Sequence, residues 1–316
     1  MPILSVQRWF SLPDTSIVKR IWTEVREHGW LTTLRACYFI LASKMGKQNF
    51  TIPLLGYPFR VRGNSRKLGI DGILFSRRER FDPKLDPYFR IEHPGEAFFD
   101  IGANYGYWSR YVLTDARRRG ISDASVVAFE PLPANYGLLV ENMKPVPDSG
   151  ASVRCESMAV AEVAGSCYMN LSNDDPGSSF VSGSGTVPCR VTTIDDYVAE
   201  HRIQKIGLMK IDVEGFELHV LRGARRTILR DHPRIVCELL PSYLARAGTT
   251  LDEVLQEIAE LGYVVQPISD ADYLLCPQSC AAPAPIPDRT LENIPEALLH
   301  QPALSSHVFG SPGAAH

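Results

Sequence analysis

Residues Ala97-Phe98-Phe99-Asp100-Ile101-Gly102-Ala103-Asn104-Tyr105-Gly106-Tyr107-Trp108-Ser109 constrain the fold more than any other stretch of the chain. An apolar run stops at Asp100 and Ile101, two glycines follow, and Tyr107 to Arg119 can continue as helix. A buried strand, a tight glycine turn and a helix, in that order, place a ligand at the carboxyl end of a parallel sheet. A dinucleotide loop would read G-x-G-x-x-G, so that its backbone can hug a pyrophosphate. Here the run is D-x-G-x-x-x-G, and Asp100 would repel a phosphate. The carboxylate suits a ligand with a cationic amine and a sulfonium, which describes S-adenosylmethionine. The same residues disfavour a nicotinamide-dependent oxidoreductase.

Beyond this stretch the chain alternates strand and helix patterns, as a mostly parallel α/β sheet requires. Strands are expected at Ala97–Ile101, Ser125–Phe129, Ser152–Met158, Ile206–Val213, Arg234–Leu239, Tyr263–Pro267 and Tyr273–Cys276. Helices fit at Tyr107–Arg119, Ala134–Met143, Asp195–His201, Gly215–Arg230 and Leu251–Leu261. In Gly215–Arg230 the apolar stripe is Phe216, Val220, Ala224 and Ile228. An insertion interrupts the alternation, with hairpin strands Cys167–Leu171 and Val187–Thr192 around a Gly/Ser loop, Asn173 to Gly185. Ser178 and Ser179 of that loop are candidates to line an acceptor pocket, on loop position alone.

Ahead of this domain, Asp14 to Lys47 reads as helix, with Ile17, Ile21 and Val25 on one stripe. Short alternating runs follow, Phe59–Arg62, Ile73–Phe75 and Tyr88–Arg90, as in a small β-rich lead-in. The expected organisation is a helical extension over 1–47, the lead-in over 48–92, the main domain over 93–280 and a Pro/Ala-rich, disordered tail over 281–316.

Charge is distributed unevenly. Residues 1–90 hold 16 Lys and Arg against 7 Asp and Glu, a net +9, and the remainder holds −12. An acidic main body argues against nucleic acid as a partner. The basic front could meet an anionic surface, a membrane contact through residues 1–47, or form a cap on the main domain. Seven cysteines without a C-x-x-C fit a reducing compartment rather than a disulfide framework. No signal peptide or membrane-spanning run is legible. The expectation is therefore cytoplasmic, with peripheral contact at the inner membrane face as a variant of it.

Three groups of residues carry chemistry. Asp100 with its glycines is the first. Glu130 closes the strand after the loop, where an acid can accept both ribose hydroxyls of a nucleoside. The third is Lys210-Ile211-Asp212-Val213-Glu214-Gly215-Phe216-Glu217, closing a core strand and opening a helix. Asp212 and Glu214 then sit at the carboxyl rim, either capping the helix or receiving a proton from a hydroxyl nucleophile. Glu238, ending the next strand, can face the same cleft. Asp212, Glu214, Glu217 and Glu238 are also oxygen ligands of the kind Mg²⁺ accepts, a metal role that spacing alone does not favour.

Four motifs occur in order: Phe99-Asp100-Ile101-Gly102-Ala103-Asn104-x-Gly106-x-x-Ser109, Phe129-Glu130-Pro131-x-Pro133-x-Asn135, Thr192-Thr193-Ile194-Asp195-Asp196-Tyr197, and Lys210 to Glu217 continued by Val220-Leu221-x-Gly223-Ala224. Over residues 95–240 the chain resembles the FkbM family of S-adenosylmethionine-dependent methyltransferases. The resemblance implies a class I, Rossmann-like, seven-stranded fold and O-methyl transfer to sugar or polyketide hydroxyls. It implies that Asp100, Gly102, Asn104, Gly106 and Ser109 surround the methionine part of the cofactor and Glu130 its ribose. Asp212, Glu214, Lys210 and Glu238 are then the catalytic candidates, with a glycan or small molecule as acceptor. A catalytically silent cofactor-binding scaffold, or a non-sugar acceptor, is the alternative.

Overall fold

The computed structural model describes residues 29–63, 85–144, 151–170, 180–182 and 185–279. Expectations for residues 14–28, Ile73–Phe75, Ser178, Ser179 and the tail after 280 lie outside these residues. By packing, the chain forms two units. One comprises residues 1–86 with 137–144, and the other residues 87–136 with 145–316.

In the first unit, helix α1 (Trp30–Lys44) precedes a hairpin of β1 (Asn49–Leu54) and β2 (Tyr57–Arg62). The two strands pair antiparallel from Asn49↔Arg62 to Leu54↔Tyr57. Their alternation is strict, with Phe50, Ile52, Leu54, Phe59 and Val61 on the buried face. Asn142 fastens the hairpin, accepting from the Arg60 amide at 2.6 Å and donating to its carbonyl at 2.9 Å.

The second unit begins with a short 3₁₀ turn at Asp86–Tyr88, where a strand at Tyr88–Arg90 was expected. Phe89 is buried here, its ring stacked on Trp108 with centroids 3.7 Å apart. The order then runs β3 (Ala97–Ile101), α2 (Tyr107–Arg118), β4 (Ser125–Phe129), α3 (Pro133–Asn142), β5 (Ser152–Glu156) and β6 (Met158–Val160). Next come β7 (Gly165–Asn170), β8 (Phe180–Ser182), β9 (Val187–Thr192), α4 (Ile194–His201) and β10 (Ile206–Ile211). The chain continues through α5 (Glu217–Gly223), α6 (Arg225–Asp231), β11 (Arg234–Glu238), α7 (Pro241–Arg246), α8 (Leu251–Glu260), β12 (Tyr263–Pro267) and β13 (Asp272–Pro277).

Seven strands make the main sheet in the order β12-β13-β11-β10-β3-β4-β5. β5, β4, β3, β10 and β11 run parallel, and β13 enters antiparallel between β11 and β12. This is the α/β, mostly parallel, seven-stranded architecture that the sequence and the resemblance imply. β3 is buried at all five positions, as a central strand covered on both faces must be. The core beneath the sheet gathers Phe99, Val127, Phe129, Met209, Ile211, Leu218, Val220 and Ile235.

Two expected elements are each divided. Ser152–Met158 is not one strand: β5 joins the main sheet, and β6 joins a four-stranded sheet of order β6-β9-β7-β8. Its hairpin pair β7 and β9 is the expected insertion, antiparallel from Gly165↔Val191 to Met169↔Val187. Gly215–Arg230 is two helices, separated at Ala224, whose φ of −110° departs from helix. Gly223 there lies so near the Ala161 carbonyl that a Cβ would come within 2.1 Å of it. The stripe survives the break, since Val220, Ala224 and Ile228 are all fully buried.

The Thr-Thr-Ile-Asp-Asp-Tyr motif is structural. Thr193 caps α4 by accepting from the Asp196 amide at 2.9 Å, a cap that typically contributes about 1 kcal/mol. Asp195 reaches across to accept from the Thr227 amide at 2.8 Å and hydroxyl at 2.7 Å, holding the start of α6. Among the described residues no helix is long and apolar enough to cross a membrane.

Candidate active site

Parallel pairing brings the three acidic stretches to one rim. Asp100 lies in register between Lys210 on β10 and Ala128 on β4, and Cys237 beside Ile211 brings Glu238 to the end of the neighbouring strand. The chain leaves β3 toward β4 on one side, while β10 lies on the other. A crevice forms at such a reversal of strand order.

The first loop is fastened to both neighbours. The amides of Gly102 and Ala103 both donate to the Phe129 carbonyl, at 3.0 and 2.9 Å. On the other side the Asp212 amide donates to the Ile101 carbonyl at 3.0 Å. Gly102 has φ of 82°, and a Cβ there would lie 1.8 Å from the Asp212 carbonyl oxygen. Glycine is thus required by the neighbouring strand end as well as by its own torsion. Gly106, also at φ of 82°, is the N-cap of α2.

Asp100 is completely buried. Its Oδ2 accepts from the Ser109 hydroxyl at 2.6 Å and the Ser109 amide at 3.1 Å. Its Oδ1 has no hydrogen-bond partner among the described residues. Burial raises its pKa, opposed by the Lys210 ammonium and the Ser109 hydroxyl. Ser109 is itself fully buried. Both of its donors thus hold Asp100 Oδ2.

Glu130 sits beyond β4, buried, with Oε2 accepting from the Asn104 amide and Oε1 from the Leu132 amide, both at 2.9 Å. Asn104 presents that amide from a left-handed conformation, φ of 51°. Burial pushes the Glu130 carboxyl up to about 7, outweighing the two amides and Lys210, which favour the charge. Each carboxylate oxygen has a second lone pair, so two acceptor positions remain for a ligand.

Lys210 donates to Asp212 Oδ2 at 2.8 Å. Burial alone would lower its pKa, but Asp212, Asp100 and Glu238 together hold it above its ordinary value. It is an ammonium at any physiological pH, so it neutralises the rim and cannot serve as a base. Glu238 stands opposite Asp272 on β13. Burial first, then the charges of Asp212, Asp272 and Glu214, raises its pKa well above the carboxylate range. Asp272 is a residue the motif reading missed. Its signal was an acid opening the apolar run Tyr273 to Cys276.

The loop after β10 is shaped by Glu217. Its Oε1 accepts from the amides of Val213 at 3.2 Å and Gly215 at 3.1 Å, holding Glu214 at φ of 58°. Burial raises the Glu217 carboxyl to about 7. Arg246 donates to the Glu214 carbonyl at 2.9 Å and lies 3.6 Å from its Oε2. Of the four catalytic candidates, Asp212 is therefore the carboxylate that is both held by Lys210 and open to solvent, its side chain 34% exposed. Among the described residues, no three His, Cys, Asp or Glu side chains are grouped as a metal would require. Tyr107 and Trp108 are core residues, buried against one another at 4.9 Å. His219 lies at the surface, 3.5 Å from Glu162.

The sequence pattern of the methyltransferase FkbM domain matches residues 100–265, more than half of the chain. The chain belongs to the FkbM methyltransferase family. Methyltransferase 1 of Beauveria bassiana is 25% identical over 173 residues, covering 48% of this chain and 67% of that protein. The hexuronic acid methyltransferase AglP of Haloferax volcanii is 28% identical over 129 residues, 40% of this chain and 49% of its own length. The 2-O-methyltransferase NoeI of Sinorhizobium fredii is 27% identical over 161 residues, 44% of this chain and 62% of its own. The chain thus spans about half to two thirds of the length of these relatives. Among solved structures, the methyltransferase FkbM of Methylobacillus flagellatus is similar at 17% identity and a TM-score of 0.40, over 58% of this chain and 44% of that one. The FkbM match begins at Asp100 and runs through Glu130, Lys210, Asp212 and Glu238, while Asp272 lies beyond its end at residue 265.

Proposed function

We propose that this chain is an S-adenosylmethionine-dependent O-methyltransferase acting on a hydroxyl, of a sugar in a glycan, glycolipid or natural product. The donor reading rests on Asp100, a fully buried carboxylate with one oxygen held by Ser109 and the other without a partner. An unpartnered buried acceptor costs about 1–3 kcal/mol, more when charged, and a ligand ammonium removes that cost. The fit extends to Glu130, whose remaining acceptor positions suit vicinal ribose hydroxyls. The bound cofactor supplies an electrophilic methyl group on a cationic sulfur. The chain's own residues hold its amino group at Asp100 and its ribose at Glu130. Asp212 receives the acceptor proton as the hydroxyl attacks, and Lys210 holds that carboxylate in place through its hydrogen bond of 2.8 Å. The hydroxyl acceptor is supported by the relatives named as a hexuronic acid methyltransferase and a 2-O-methyltransferase.

Calorimetric titration with S-adenosylhomocysteine tests the donor site. Wild type binds, and Asp100→Ala weakens binding by about a hundredfold, the loss typical of removing a buried charge-assisted contact. Asp212→Asn binds as wild type does but transfers label from S-adenosylmethionine to sugar acceptors about a hundredfold more slowly. No binding by folded wild type overturns the donor reading, and unchanged turnover in Asp212→Asn removes that residue from the mechanism.

A pH dependence follows from Glu130. Affinity for S-adenosylhomocysteine rises as pH passes upward through about 7, because the ionised carboxylate is the better acceptor for hydroxyls. Without ligand the sign for stability is opposite. The folded pKa is raised, so stability falls as pH climbs from the ordinary carboxylate range to about 7 and levels off above it. Glu130→Gln should flatten both profiles, and a binding profile unchanged by the substitution would reject the assignment.

A further inference from the structure

β7 and β9 bring two thiols face to face. Cys167 stands directly opposite Cys189 in the antiparallel register, so both side chains leave the same face of the sheet at the same level. Both are free thiols, Cys189 buried and Cys167 partly exposed. Their side chains are hydrogen-bonded to one another. Cys189 sits in an apolar cluster with Leu132, Ala159 and Met169, and Cys167 packs against that cluster. Among the described residues the two thiols have no third ligand of the kind a structural zinc requires. The pair suits thiol chemistry instead.

Distance favours a covalent link. Directly opposed residues of an antiparallel pair have Cα atoms about 4.5–5.5 Å apart, inside the range of about 4.4–6.8 Å that disulfides span. Their Cβ atoms are about 4.5–5.5 Å apart before bonding, against about 3.5–4.5 Å in a disulfide. The strands must draw together slightly, and the resulting strain makes the bond easy to reduce. We propose that Cys167 and Cys189 are a reversible redox couple, a cross-strand disulfide made and broken by exchange with glutathione disulfide and glutathione.

In the forward direction the Cys167 thiolate attacks one sulfur of glutathione disulfide. That S–S bond breaks, one glutathione leaves and takes up a proton, and a mixed disulfide remains on Cys167. The Cys189 sulfur gives up its proton and attacks Cys167 Sγ, releasing the second glutathione. Two protein thiols are oxidised and one glutathione disulfide is reduced to two glutathiones. The reverse steps restore the thiols. Position sets the order, since Cys167 is the partly exposed member and burial pushes the Cys189 thiol up to about 11. The inference stands apart from the donor and acceptor readings, because no step involves methyl transfer.

The test treats the full chain, folded and fully reduced, with glutathione disulfide, then alkylates it and maps its peptides by mass spectrometry. Wild type yields a peptide pair joined from Cys167 to Cys189 and about 2 Da lighter than the two thiol peptides, and dithiothreitol without denaturant restores both thiols. Cys189→Ser stops at the mixed disulfide, so glutathione on Cys167 rises by about tenfold or more over wild type. Cys167→Ser leaves Cys189 unmodified. Absence of the Cys167–Cys189 link in native wild type overturns the proposal, as does a link that forms only after unfolding in urea. Pairing of either residue with a different cysteine also overturns it. The wild-type arm needs no substitution, so it decides even where a serine variant fails to fold.

Discussion

Lys210→Met is expected to destabilise the protein by about 3–5 kcal/mol, the usual loss when one member of a buried ion pair is removed. The ammonium is the cation at which the rim carboxylates converge. It donates to Asp212 at 2.8 Å, and it acts electrostatically on Asp100, Glu130 and Glu238 as well. Methionine has similar length and is apolar, so packing is largely kept while the carboxylates lose their common counter-charge. Because the folded pKa of Lys210 is raised, its contribution is complete below the ordinary lysine value and disappears only in strong alkali. An assay near pH 7 therefore reads the full effect. Lowering the pH protonates the acids and should shrink the difference between variant and wild type. Urea denaturation at neutral and at mildly acidic pH makes the comparison. A loss of equal size at both would mean that Lys210 acts through packing rather than charge.

Gly102→Ala is the second large effect. The residue combines a φ of 82° with a Cβ direction that ends 1.8 Å from the Asp212 carbonyl oxygen. The torsion alone costs about 1 kcal/mol. The contact is with backbone, so no rotamer change relieves it, and β3 and β10 must separate at the rim. A total above about 4 kcal/mol follows, with loss of S-adenosylhomocysteine binding in whatever fraction folds. Gly95 supplies the control, since its φ is 78° and a Cβ there meets nothing within 4 Å. Gly95→Ala should show the torsional cost only. Similar thermal midpoints for the two variants would show that the approach of the strand ends carries no weight.

Much of this arrangement is legible in the sequence because it is local. The apolar run ending at Asp100, the acid closing Ser125–Phe129, and the Lys-x-Asp-x-Glu stretch each declare a strand end without help from the rest of the chain. What escaped depends on partners far away in sequence. Residues 152–158 look continuous, yet the chain changes sheets after Glu156, and only pairing with β4 or with β9 distinguishes the two parts. Val220, Ala224 and Ile228 keep helical spacing across a break that a carbonyl at Ala161 accompanies. Phe89 looks like a strand residue, yet it follows the turn at Asp86–Tyr88 and packs on Trp108, which lies far from it in sequence.

The site is legible to the same depth. Asp100, Glu130 and Asp212 are found where their motifs put them, and their chemical differences are not. Ser109 reads only as a member of the first motif, and in the fold its amide and hydroxyl both hold Asp100. Glu214, Glu217 and Glu238 are interchangeable acids on paper. In the fold, Arg246 lies against the first, backbone amides bind the second, and burial beside other acids raises the pKa of the third. Those distinctions arise from burial and neighbours, which spacing does not encode.

The place of β13 has a consequence for how the protein is made. It is the last strand of the main sheet in sequence, yet it lies between β11 and β12. Until residues 272–277 have left the ribosome, β11 is an edge with unpaired amides and carbonyls, and β12 has no partner at all. Glu238 likewise gains Asp272 as its cross-strand neighbour only at that point. The rim is thus finished only once β13 has been made, and a nascent chain stalled earlier presents an open strand rather than a completed sheet.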